Sequence, residues 1–128
     1  MPIRVIEIPK PISLVNYETK QPLTENGKPM EWTFETVLIR LMSNPVWQES
    51  FAGMRAQQSI VQAFASRDND KMMLAEDDWK KLKEAAENPR VTIMVPDGQL
   101  VANGFGVHPS LAFQLVPLIA PIIEAKEK

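Results

Sequence analysis

The sequence predicts an α+β fold: three to four helices, short hairpin strands and an extended amino-terminal arm. Three observations carry this expectation. Ile3-Arg4-Val5 and Ile6-Glu7-Ile8 alternate apolar with charged residues, the pattern of a half-buried strand. Phe34, Val37, Leu38, Leu41 and Met42 recur at helical spacing and make one continuous apolar stripe. Val91-Thr92-Ile93-Met94-Val95 is rich in β-branched residues, Pro96-Asp97-Gly98 is a turn signal, and Leu100-Val101 can form the return strand. A chain of 128 residues is large enough for one domain with one hydrophobic core. Its expected parts are an arm or hairpin over residues 1–30, a helical core over 31–90, and a short hairpin with a kinked carboxyl-terminal helix over 91–128.

Taken in order, the arm is interrupted by Pro9 and Pro11, which forbid a long central strand and favour an edge strand or a reaching segment. Asn26-Gly27 accepts positive φ cheaply and reads as a tight turn. An arm of this kind exposes backbone with which another chain could pair. The helix that follows has Thr33 as N-cap and Glu35 in its first turn, where the helix dipole favours negative charge. A second helix starts at Asn44-Pro45, a cap followed by proline at the first helical position. Trp47, Phe51, Met54, Val61 and Phe64 define its apolar side, which we assign to the core; Trp47, Phe51 and Met54 as a groove for a partner helix is the alternative.

A third helix spans "LAEDDWKKLKEAAENPR". Glu76, Asp77 and Asp78 sit at its start and Lys80, Lys81 and Lys83 beyond them, the order that the dipole prefers. Trp79, Leu82 and Ala86 form a narrow stripe, so this helix is expected on the surface, ending at Asn88-Pro89. From Phe105 to Ile123 no formal charge occurs, which is the length of a membrane span. His108, Ser110, Gln114 and three prolines argue against a span, and a kinked helix over roughly 109–125, broken near Pro117 and Pro121, fits better. A domain this small has limited room for such a segment, so part of it is expected to pack against another chain.

Chemistry is hard to find. With no cysteine there is no disulfide framework, thiolate nucleophile or zinc-thiolate site. Asp68-Asn69-Asp70-Lys71 resembles the start of a calcium loop, but Met72, Met73 and Trp79 stand where a ligand, a glycine and a glutamate are needed. Gly104 and Gly106 have the first spacing of a dinucleotide loop, and Pro109 replaces its third glycine. His108, the single histidine, precedes a helix-starting proline and reads as a capping or packing residue. The acids at 76–78 read as a capping and solubility device. We therefore expect no catalytic, cofactor-binding or metal-binding residue and no enzyme activity. The 14 basic and 16 acidic residues are well mixed along the chain, so direct nucleic-acid binding is not expected. The amino terminus lacks a charged stretch followed by an apolar run, which makes a cytosolic address the default.

The order "PLTENGKPMEWTFETVLIRLM", then a helical middle with "LAEDDWKKLKEAAENP", then an apolar carboxyl end resembles small proteins encoded among the structural genes of tailed bacteriophages. The likeness covers roughly residues 20–125. It implies a virion component or a head or tail assembly factor that acts by binding, in the host cytoplasm during assembly or in the virion. It supplies no catalytic residues. The expected partners are other protein chains, through self-association or a larger assembly, with a soluble accessory or chaperone-like adaptor as the alternative role. The expected contact residues are Ile3, Val5, Ile8, Ile12 and Leu14 of the arm, and Leu115, Leu118 and Ile122 of the carboxyl helix.

Overall fold

The computed structural model describes residues 2–128 and shows an α+β protein. Its chain runs β1 (Ile3–Glu7), β2 (Ile12–Ser13), β3 (Thr24–Glu25), β4 (Lys28–Pro29), β5 (Glu31–Trp32), α1 (Phe34–Met42) and α2 (Phe51–Ala65). It continues with β6 (Lys71–Ala75), α3 (Glu76–Glu87), β7 (Arg90–Val95), β8 (Gly98–Asn103), α4 (Pro109–Ala112), α5 (Val116–Ile123) and β9 (Lys126–Glu127). The sheets are small: β6-β1-β9, β2-β5, β3-β4 and β7-β8, all antiparallel.

The amino-terminal stretch is extended as expected, but it is paired rather than free. β1 is the middle strand of its sheet, matched along its whole length by β6 and at Arg4 and Val5 by β9. Register puts Arg4 and Ile6 opposite Leu74 and Met72, so these four share the inner face, while Ile3 and Val5 lie on the outer one. Ile6, Met72 and Leu74 are buried.

α1 forms as its stripe dictates. The Thr33 hydroxyl accepts from the Thr36 N–H at 3.1 Å, and Phe34, Val37, Leu38 and Leu41 are buried. The next helix departs from expectation. Asn44 and Pro45 open only a 3₁₀ turn, Pro45–Gln48, and Ser50 caps the true start of α2 by accepting from the Gly53 N–H at 3.0 Å. Trp47 therefore does not share a helical phase with Phe51. It is buried, and its indole donates to the Leu41 carbonyl at 2.8 Å. The face of α2 that enters the core is Gly53, Ala56 and Ile60, leaving Phe51, Met54 and Val61 exposed.

α3 buries more than a surface helix would: Trp79, Leu82, Ala85 and Ala86 all lie in the core. The uncharged carboxyl segment gives one face to the domain's own core, while Phe113 and Val116 stay exposed. It breaks at a 3₁₀ turn over Phe113–Leu115, earlier than Pro117, which sits in the first turn of α5 where a missing N–H costs little. Leu115, Leu118 and Ile122 are completely buried, and the Trp79 indole caps the end of α5 by donating to the Ile122 carbonyl at 2.8 Å.

Candidate contact surface

Of the residues expected to meet a partner, the structure closes four. Leu14, Leu115, Leu118 and Ile122 are buried in the chain's own core, where α5 packs against α3, α1 and β1. These four are therefore closed to another chain, contrary to expectation, while Phe113 and Val116 of the same carboxyl segment stay exposed. Ile8 and Ile12 are half-buried at the core's margin, Val5 is half-buried and Ile3 is exposed on the outer sheet face. The two expected contact elements do meet each other. Val5, Ile8 and Pro9 line one side of a groove of about 580 Å³, with Pro117, Ala120 and Pro121 of α5 on the other.

A group of apolar side chains left in solvent lies elsewhere, on the β7–β8 hairpin. Its base is fixed to the domain. Val91 is buried, the Thr92 hydroxyl donates to the Ser43 carbonyl at 2.8 Å, and the Thr92 N–H reaches the Ser43 hydroxyl at 3.2 Å. The loop after β8 is held as firmly: Arg40 donates to the Phe105 carbonyl at 3.0 Å, and Phe105 is buried. Beyond this base the hairpin projects. Met94 is 73% exposed, Leu100 53% and Val101 44%, and Val95 is exposed with them.

Period-2 geometry explains why both faces are apolar. Val91, Ile93, Val95, Leu100 and Ala102 share one face; Thr92, Met94, Gln99 and Val101 share the other. A strand with one buried face would alternate apolar with polar residues, whereas Leu100-Val101 places apolar residues on both. That adjacency is the signal by which the sequence marks this edge, and it is absent from the contact residues inferred from sequence. Phe51, 71% exposed, and Met54 are further exposed apolar residues, on α2.

An ion-pair network centres on Arg4 of the β6-β1-β9 sheet. Arg4, although on the inner face, is satisfied at the sheet's end. Its Nε donates to Glu76 at 3.0 and 3.1 Å, one terminal nitrogen lies 2.8 Å from Glu76, and the other donates to the Ala125 carbonyl at 3.0 Å. The guanidinium also lies 4.1 Å from the centre of the Trp79 ring. Glu76 is thus more than a dipole-complementing acid: it joins β1, α3 and the chain end through Arg4. The hydrogen bond from Arg4 holds the Glu76 carboxyl below its ordinary value of 4.5, with Arg4's charge adding to the effect. Burial moves the Asp78 carboxyl the other way, upward, against the pull of Lys81.

The sign of the pH effect follows. A carboxyl with a lowered folded-state pKa contributes stability that is present above its unfolded pKa and lost as pH falls through the folded value. Wild type is therefore expected to lose its advantage over Glu76→Gln on the acid side, below about pH 4.5. Urea midpoints of the two proteins measured between pH 7 and pH 3 check this. A gap that stays constant across the series would exclude the ion pair as its source. Asp78 is common to both proteins and its opposite contribution cancels in the comparison.

His108 resolves as a cap. At the start of α4, its Nδ1 accepts from the Ser110 N–H at 3.1 Å and lies 2.8 Å from the Ser110 hydroxyl. The Asp68–Lys71 segment is a tight turn with Asn69 at φ 57°. Among the described residues no helix is long and apolar enough to cross a membrane.

Fold and surface together define a small α+β domain that presents an apolar two-stranded hairpin. No family model matches the chain, and neither a curated protein nor a solved structure matches it.

Proposed function

We propose that this protein is a non-enzymatic structural or assembly protein that works through contacts with other protein chains. The observation that carries the proposal is the β7–β8 hairpin, anchored at its base and exposing Met94, Leu100 and Val101 beyond it. Apolar side chains in solvent on both faces of a two-stranded element do nothing for the fold of a lone chain and are suited to burial in an interface. The layout resemblance to small structural-gene proteins of tailed bacteriophages agrees with such a role. It points to a head or tail component or an assembly factor, placed in the host cytoplasm during assembly or in the virion. Direct contact with nucleic acid is not part of the proposal.

Absolute mass from size exclusion with light scattering, across a concentration series, tests it. Mass is expected to rise with concentration beyond a single chain. A mass that stays at one chain throughout would overturn self-assembly and favour the second role, a soluble accessory or chaperone-like adaptor for one partner. One observation favours that role: β9 pairs with β1 only at Arg4 and Val5, so the Glu7 peptide faces the 580 Å³ groove without a strand beside it.

A further inference from the structure

The backbone hydrogen-bond phase of the hairpin decides what its free edge can accept. The Gly104 N–H donates to the Pro89 carbonyl at 2.7 Å, so residues 89 and 104 are a hydrogen-bonded pair. Antiparallel pairs alternate between bonded and non-bonded, which makes Val91–Ala102, Ile93–Leu100 and Val95–Gly98 bonded pairs too. The intervening residues then point their peptide groups outward. On β7 this is seen directly, since the outward Thr92 N–H is taken by Ser43. On β8 the outward residues are Gln99, Val101 and Asn103, and no strand pairs with that side among the described residues.

Natural edge strands are usually protected by lysine, proline or a bulge. β8, "GQLVAN", has no charged residue and no proline, and its pairing with β7 runs without a bulge. We propose that this edge pairs with β8 of a second copy, antiparallel about a two-fold axis at Val101, so that two hairpins form one four-stranded sheet. The proposal rests on the assembly role above and names the partner of that hairpin.

Self-complementarity is the argument for a second copy. A two-fold perpendicular to a sheet must place residues of the same face opposite one another, so it must pass through a single residue rather than between two. Centred on Val101, it sets Val101 against Val101, Gln99 against Asn103 and Leu100 against Ala102. Every outward N–H and carbonyl of Gln99, Val101 and Asn103 then gains a partner. The β-branched pair lies on the axis, the two amide side chains face each other with matching donors and acceptors, and the large Leu100 meets the small Ala102. No like charges are brought together anywhere along the strand. An interface built on one strand edge is small, so association is expected to be weak and concentration dependent.

The absence of cysteine makes the register directly testable. Single cysteines would be introduced at positions 99, 100, 101, 102 and 103 and oxidised at high protein concentration. Cα atoms in a hydrogen-bonded antiparallel pair lie about 5.5 Å apart, within the roughly 4.4–6.8 Å that a disulfide spans. Val101→Cys is therefore expected to give the highest yield of cross-linked dimer. In parallel, Val101→Lys sets two ammonium groups against each other on the axis and is expected to abolish association. Ile39→Lys, at a 61% exposed position of α1 off the hairpin, adds the same charge and is expected to preserve it. Near-ultraviolet circular dichroism of the buried Trp32, Trp47 and Trp79 shows that each variant is folded. Wild type that associates while Val101→Lys associates equally, with no preference for cross-linking at 101, would overturn this pairing and leave the assembly role standing. Cross-linking that peaks at 100 would overturn the register. A monomer at every concentration would overturn pairing between copies and leave the edge to a strand of a different protein.

Discussion

Leu118→Ala is expected to lower the melting temperature by about 10 °C or more, the consequence of losing about 2–5 kcal/mol of stability. Leu118 has no exposed surface and lies on the face of α5 that packs against α3, α1 and β1. Removing its isobutyl group both forfeits the transfer of those carbons from water and leaves a cavity. The cavity cannot close easily, because Trp79 ties α3 to the end of α5 through the Ile122 carbonyl and Arg4 ties β1 to the Ala125 carbonyl. The same substitution separates two uses of the uncharged carboxyl segment. Were Leu118 a contact for another chain, truncation would weaken association and leave the isolated domain as stable as before. Thermal unfolding at low concentration, where chains are apart, is the measurement. A melting temperature within about 2 °C of wild type would place Leu118 outside the core.

Gly53→Ala comes second, and its interest lies in its sign. In an exposed helix, alanine in place of glycine usually stabilises by about 1 kcal/mol. Gly53 lies in the first turn of α2, where it crosses the Pro45–Gln48 turn, and a Cβ there would stand 2.7 Å from the Trp47 carbonyl oxygen and 3.1 Å from that of Val46. Both obstacles are backbone, so neither can rotate away as a side-chain tip could. α2 must shift, and overpacking of this kind typically costs about 1–3 kcal/mol. The clash is expected to outweigh the propensity gain, for a net loss of roughly 1–2 kcal/mol and a melting temperature lower by several degrees. Chemical denaturation of the single variant against wild type checks it. A stabilised Gly53→Ala protein would mean that the approach of α2 to that turn is looser than the structure shows.

Much of this fold was legible because local signals decided it. The stripe from Phe34 to Leu41, the Thr33 cap, the Asn26-Gly27 turn and the hairpin at Pro96-Asp97-Gly98 each depend on residues a few positions apart. His108 as a cap belongs with them, since its partner is Ser110, two residues on. α2 shows how a local signal can mislead. Asn44-Pro45 is a valid helix start, yet Ser50 restarts the helix and shifts its phase, so Phe51 and Met54 turn to solvent and the small residues Gly53 and Ala56 turn inward.

The candidate surface was the part least legible, for the same reason in reverse. Whether Leu118 or Leu100 is free depends on what else in the chain reaches it, and those contacts come from far along the sequence. By itself the sequence determined the α+β class, the helix of residues 34–42, most turns and the strands of the last hairpin. The tertiary structure alone decided that the amino-terminal strand is central to its sheet and that Arg4 is held by Glu76 across 72 positions. It alone decided that Leu115, Leu118 and Ile122 of the carboxyl segment are core while, among the described residues, no strand covers the hairpin edge at Gln99, Val101 and Asn103. Apolar periodicity states which side chains avoid water, and only packing determines which of them succeed.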